Sequence, residues 1–369
     1  MPPLIVTYRY ACVPEAAHAF ADALLVEQTV ETPRSVSARY PFVQAHLGGA
    51  VETVEPVGDG AFRARLRLPA FTAAADAAQL LSVIFGNASI HPGVMLEGVE
   101  LPAELAEGYG PAFGIEGLRR LTGVEHRPLV ASALKPAGLT PDELAALARG
   151  FALGGADLIK DDHYLAAQPS APFDARVPAV VRALDAAAQA TGRRTRYAPN
   201  VSGLPAEVLR QAEAAARLGA DALLVCPALL GLPTMLALRD FGLPLLAHPA
   251  FSGTLKAPPE LVVGTLFRLY GADAVIFAGY GGRFAMPPET CRAVAEAATR
   301  PWHALRPAMP VPAGGMTRER AAELVAFYGR DAMLLVGGSL LEAGDALADA
   351  THALVEAVAE AAVMLPQTP

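Results

Sequence analysis

The stretch Gly154-Gly155-Ala156-Asp157-Leu158-Ile159-Lys160-Asp161-Asp162-His163 packs a helix stop, a strand entry, a short apolar run and an ionisable cluster into consecutive positions. Its Gly-Ala-Asp recurs at 155–157, 219–221 and 271–273, each time ahead of another apolar run. Working outward, such runs lie at Leu129–Leu134, Ala156–Lys160, Thr195–Pro199, Ala222–Cys226, Pro244–Ala247, Ala274–Phe277, Met309–Pro312 and Met333–Val336. Alanine-rich segments between them, among them Thr140–Leu153, Pro205–Leu218 and Arg318–Tyr328, carry apolar residues three and four apart. Several open on a Thr or Pro start signal. Strand and helix alternating eight times predict a (β/α)8 TIM barrel rather than an open doubly wound sheet.

The residues before it read differently. Ile5–Ala11 and Ala61–Leu68 (AFRARLRL) alternate with period two, whereas Pro14–Leu25 and Ala73–Phe85 have helical spacing. The expected architecture is an α/β chain: an α+β, ferredoxin-like domain at 1–120, then the barrel at 121–369. No Gly-rich turn follows a strand in the first part, which argues against a dinucleotide-binding unit.

Composition narrows the function. With 53% hydrophobic and 18% charged residues, the 369-residue chain can bury a large core. A net charge of −8 leaves no basic stripe for a nucleic-acid partner. No apolar run reaches the roughly 20 residues of a membrane span. The first residues lack a signal peptide's basic segment and apolar run, so the expected location is cytoplasmic. Cys12, Cys226 and Cys291 are odd in number and far apart, as in a reducing compartment. Of 29 basic residues only Lys135, Lys160 and Lys256 are lysines. Two of the three fall at strand ends, where a primary amine can do what a guanidinium cannot.

Barrel chemistry sits at the C-terminal strand ends. Those ends carry Lys135, the run Lys160-Asp161-Asp162-His163, Asn200, Pro227, His248, Gly279–Arg283, Gly314-Gly315 and Gly337-Gly338. The paired glycine turns suit a phosphate, because backbone N–H groups can face an anion there. Lys160, Asp162 and His163 suit Mg2+ if Lys160 becomes an oxygen donor by carbamylation; a plain Asp–Lys ion pair is the alternative. Lys135 and His248 are candidate proton carriers. Lys256, in the loop after the fifth barrel strand, reads equally well as a substrate contact or a solvated lysine.

The order Leu134-Lys135-Pro136, Gly154–Asp162, His248-Pro249-Ala250-Phe251-Ser252-Gly253, Ala313-Gly314-Gly315 and Gly337-Gly338 resembles the RuBisCO large subunit, and more closely its RuBisCO-like, non-carboxylase branch. The resemblance implies that Lys135 handles enolisation protons, that Lys160 is carbamylated, and that Asp162 ligates Mg2+. It implies that His248 contacts substrate and that Gly314, Gly315, Gly337 and Gly338 hold one phosphate. Glu27 and Asn87 match residues that reach a neighbouring subunit's active site, which implies a homodimer with shared sites. The departures matter as much. His163 replaces a glutamate ligand, pointing to an altered metal site or a different divalent ion. Ala137 replaces a second lysine, Pro249 an arginine, and Phe277 stands near a usual histidine; the loop 281–284 (GGRF) lacks the mobile lysine of the carboxylase. Ribulose-bisphosphate carboxylation is therefore not expected. The leading expectation is decarboxylation or carboxyl-transfer hydrolysis of a 3-oxo sugar-acid phosphate. The alternatives are an enolase or isomerase of a methylthio-sugar phosphate, and a non-catalytic sugar-phosphate-binding dimer.

Overall fold

In the computed structural model, which describes residues 2–366 apart from 75, 283 and 285, the AFRARLRL alternation forms a strand of a four-stranded antiparallel sheet. Its strands are β1 (Leu4–Ala11), β2 (Ala50–Gly58), β3 (Ala61–Leu68) and β4 (Met95–Glu100), in the order β2-β3-β1-β4. The helices Ala17–Glu27 and Ala77–Phe85 connect β1 to β2 and β3 to β4. This is the ferredoxin-like arrangement expected. Ala64, Leu66 and Leu68 are buried on one face of β3, while Arg63 and Arg65 on the other pair with Glu97, Glu52 and Glu100. The second helix starts later than the apolar pattern suggests, because Asp76 caps it by accepting from the Gln79 N–H.

Two compact units emerge: Met1–Gly108 with Gly253–Val262, and Tyr109–Ser252 with Val263–Pro369. The helix Gly114–Thr122 straddles the sequence-based boundary at 120 and lies in the second unit.

The second unit is the eight-stranded parallel sheet: β5 (Leu129–Leu134), β6 (Leu158–Asp161), β7 (Arg196–Ala198), β8 (Leu223–Val225), β9 (Leu245–Ala247), β10 (Ala274–Ala278), β11 (Met309–Ala313) and β12 (Met333–Leu335). Pairing runs β7-β6-β5-β12-β11-β10-β9-β8. A bridge between Asn200 and Leu224, with the Leu224 N–H donating to the Pro199 carbonyl at 2.9 Å, closes the ring. Leu129, Ala131, Leu158, Ala198, Leu224, Leu246, Ile276, Val311 and Leu335 form one interior core with Ile115 and Leu118 of the helix Gly114–Thr122.

The Gly-Ala-Asp repeat has a structural meaning beyond strand entry. Each aspartate precedes its own strand and accepts the first N–H groups of a neighbouring one. Asp157 takes Val130 N at 2.7 Å, Asp221 takes Tyr197 N at 3.1 Å, and Asp273 takes Leu245 N at 2.8 Å. Asp157 and Asp221 are offset by arginines, and Asp273 by the N–H groups of Phe113 and Gly114. These carboxylates therefore knit the N-terminal rim of the barrel, the face that carries stability rather than chemistry.

Candidate active site

Period-two geometry decides what faces the barrel axis. Leu158 lies in the interior core, so Lys160 and Asp162 follow it inward, and Asp161 points outward to the helix layer. By the same count Asn200, Cys226 and His248 continue the inward rows of Ala198, Leu224 and Leu246. The C-terminal mouth thus collects two lysines, an aspartate, an asparagine, a thiol and two imidazoles from five adjacent strands.

Lys135 Nζ lies 2.7 Å from Asp162 Oδ2, with the lysine side chain 39% exposed and the aspartate only 8%. Asp162 Oδ1 accepts the Tyr164 N–H at 2.9 Å. Burial works to raise the Asp162 pKa, but the Lys135 hydrogen bond, the Tyr164 N–H and the Lys160 charge outweigh it and hold the carboxyl below its usual range. Lys160 is buried and donates to the Asp161 carbonyl at 3.0 Å. Its burial, despite the nearby Asp162 charge, lowers its pKa to about 8. Cys226, buried near Lys160, is pushed up to about 11 by burial, so it stays a thiol.

The rings of His163 and His248 stack at 4.1 Å with 12° between their planes, and His163 Nδ1 lies 3.4 Å from Asp162 Oδ1. His248 Nδ1 accepts the Ala250 N–H at 3.1 Å, which places the ring proton on Nε2. Burial, then the charges of Lys160 and His163, push the His248 pKa down to about 2. The sequence suggested a second proton carrier here. The structure instead gives a neutral imidazole that offers an Nε2–H, because its other nitrogen is already engaged.

Gly314 and Gly315 adopt left-handed backbone at φ +84° and +65°. A Cβ on Gly315 would lie 2.7 Å from the Gly282 Cα, so this approach of two loops requires glycine. Gly314, Gly337 and Gly338 face open space, and the Ser339 hydroxyl ties the two turns together by donating to the Met316 carbonyl at 2.9 Å. Arg283 lies outside the described residues.

Other sequence candidates sit in the first unit. Asn87 Nδ2 donates to Glu27 Oε1 and to Glu31 Oε1, each at 2.7 Å, so Glu27 and Asn87 are brought together and Glu31 is an addition. Lys256 is a structural tie: its ammonium donates to the Ser89 and His91 carbonyls at 2.9 and 3.0 Å, and its own carbonyl accepts the Leu96 N–H. The substrate contact considered for it is replaced by this strapping role.

The profile of the "Ribulose bisphosphate carboxylase large chain, catalytic domain" matches residues 114–365. This chain belongs to the RuBisCO large-chain family. Within it the chain falls in the RuBisCO-like, non-carboxylase branch. It is 48% identical over 349 residues to ribulose bisphosphate carboxylase-like protein 1 of Rhodopseudomonas palustris, covering 94% of this chain and 95% of that one. It is 44% identical over 360 residues to the 5-methylthioribulose-1-phosphate isomerase of Rhodospirillum rubrum, covering 96% of each. The crystal structure of a Rubisco-like protein from Rhodopseudomonas palustris superposes with a TM-score of 0.89 at 42% identity over 98% of both chains. For this RuBisCO-like protein, the relatives favour the isomerase alternative over the decarboxylation placed first by the sequence.

Proposed function

We propose that this RuBisCO-like protein is a sugar-phosphate isomerase that passes through an enediolate, and that its substrate is a methylthio-pentulose 1-phosphate. One observation carries the reading: the half-exposed Lys135 amine is held 2.7 Å from the buried Asp162 carboxylate at the mouth of the barrel. In its neutral form, a lysine so placed can take a proton from the carbon beside a ketose carbonyl and, as the resulting ammonium, return it to a neighbouring carbon. The Nε2–H of His248 opposes the negative charge that builds on an enediolate oxygen. The glycine turns at 314–315 and 337–338 supply one open anion cradle, which suits a monophosphate. Isomerisation needs neither a carboxylation loop nor a leaving CO2, and the isomerase relative spans nearly the whole chain. The 3-oxo acid decarboxylation has no comparable support.

The family's metal has a donor set here, on one condition. Among the described residues no group of three His, Cys, Asp or Glu side chains is placed to hold a metal ion. Asp162 and His163 therefore need Lys160 as a carbamate to complete a site. The buried Lys160 amine, with its lowered pKa, has the neutral fraction that reacts with CO2. In that form Lys160, Asp162 and His163 would hold Mg2+ or, given the imidazole, a later divalent ion. Such an ion would supply Lewis-acid polarisation of the substrate carbonyl. Glu27 and Asn87 are proposed to complete the site of a second subunit in a homodimer.

Turnover tests the reading. Purified protein with 5-methylthioribulose 1-phosphate, Mg2+ and bicarbonate is expected to give a new sugar-phosphate signal by 31P NMR without free phosphate or CO2. A sample that stabilises thermally with the substrate but never turns it over would point to the non-catalytic binding dimer instead.

A further inference from the structure

Asp161 lies between the two inward-facing groups of its strand but turns the other way, and it is fully buried. Both of its oxygens are engaged. The Tyr197 hydroxyl donates to Oδ1 at 2.7 Å, and Arg176 Nε and the Asn200 N–H donate to Oδ2 at 2.9 and 3.0 Å. The groups that hold Asp161 also hold the loop that follows. Arg176 Nη1, on the buried face of the helix Phe173–Thr191, donates to the carbonyls of Ala166 and Ala171 at 2.9 and 2.6 Å. Asn200 Nδ2 donates to the carbonyls of His163 and Leu165 at 3.2 and 2.9 Å. The loop carrying Asp162 and His163 is thus clamped at four carbonyls, 163, 165, 166 and 171, by the side chains of two residues that both donate to one buried carboxylate, Arg176 through Nε and Asn200 through its backbone N–H. Two donated bonds from the amide fix the orientation of Asn200 and leave its Oδ1 buried without a partner among the described residues.

We propose that Asn200, Arg176 and Tyr197 are positioning residues that act through Asp161 and the 163–171 loop to fix the Asp162–His163 pair against Lys135 and His248. None needs to touch the substrate. The idea concerns the same site as the proposed isomerase, and its kinetic arm rests on that reading. A misplacement of about 1 Å in a catalytic pair costs on the order of 100-fold in rate.

The test compares Asn200→Ala, Tyr197→Phe and a control, Asp273→Asn, which weakens the opposite rim of the barrel. Protein labelled with 15N-histidine reports the His163 imidazole, identified by its loss in His163→Gln. Asn200→Ala is expected to shift or broaden that signal and to lower kcat on the order of 100-fold with KM changed less than about threefold. Tyr197→Phe, which removes one hydroxyl and keeps its ring packing, is expected to do the same at about tenfold. Asp273→Asn should lower Tm with the His163 signal and kcat unmoved. If the two clamp variants lose Tm but keep the His163 signal and kcat, as the control does, the positioning role is wrong. If the His163 signal moves in both while even the wild type turns over no methylthio-sugar phosphate, positioning stands and the isomerase reading fails.

Discussion

Lys135→Ala is expected to lower kcat/KM by about 10³-fold, within the range a positioned general acid–base contributes. The reasoning starts from what the side chain touches. Its ammonium meets Asp162 Oδ2 at 2.7 Å, and more than a third of its surface is open to the barrel mouth. Truncation therefore removes the proton carrier without opening a core cavity. The stability cost is limited to leaving Asp162 with fewer partners, about 1 kcal/mol, because Tyr164 N–H and Lys160 remain. The loss should fall on kcat more than on KM, since the phosphate cradle at 314–315 and 337–338 is untouched. Partial recovery with an exogenous alkylamine, scaling with amine concentration, would assign the missing group as an amine. Unaltered turnover with Lys135→Ala would remove this lysine from the chemistry.

Lys160→Met should have two effects of opposite sign. Lys160 is buried in the barrel interior, with one hydrogen bond to the Asp161 carbonyl and a pKa lowered to about 8 by burial. Replacing a desolvated cation by an unbranched apolar chain of similar length is often neutral or stabilising, so Tm is expected to hold or rise. Activity is expected to fall on the order of 10³-fold, because the amine that would become the carbamate ligand is gone. Differential scanning calorimetry and steady-state kinetics on the same preparation check both. A Tm that falls in step with activity would make Lys160 a structural residue instead.

Much of the fold was legible because it is periodic. The barrel strands are short and almost wholly buried, so each appears as an apolar run bounded by a turn signal. β3 was matched end to end because one face is buried and the other is lined with arginine. β2 and β4 escaped for the converse reason: β2 has no fully buried residue and contains Pro56, so no alternation marks it, and β4 is short and interrupted by Gly98. The Gly-Ala-Asp repeat was visible, but its meaning was not, since the N–H groups that the aspartates accept are distant in sequence.

The site was legible where it depended on strand ends. Lys135, Lys160, Asp162, His163 and His248 do meet, in one unit and around one mouth. Glu27 and Asn87 were brought together with each other, a pairing that sixty residues of separation conceal. The Arg176–Asp161–Tyr197 network was missed, although a signal existed. Period two forces Asp161 outward beneath the helices, where a buried carboxylate demands a partner, and Arg176 is the basic residue that the following helix turns toward it. The tautomer of His248 could not be read at all, because it is set by a backbone N–H two residues on.

The account rests on proton movement at the carbon beside the ketose carbonyl, with no carbon–carbon bond broken. Incubation with 5-methylthioribulose 1-phosphate in D2O, followed by 1H and 13C NMR, tests that directly. The wild type should exchange deuterium into that position as isomer forms, Lys135→Ala should not, and neither should release CO2. Isomer formation without dependence on Lys135, or release of CO2 from a 3-oxo sugar-acid phosphate with no exchange into the ketose, would contradict it.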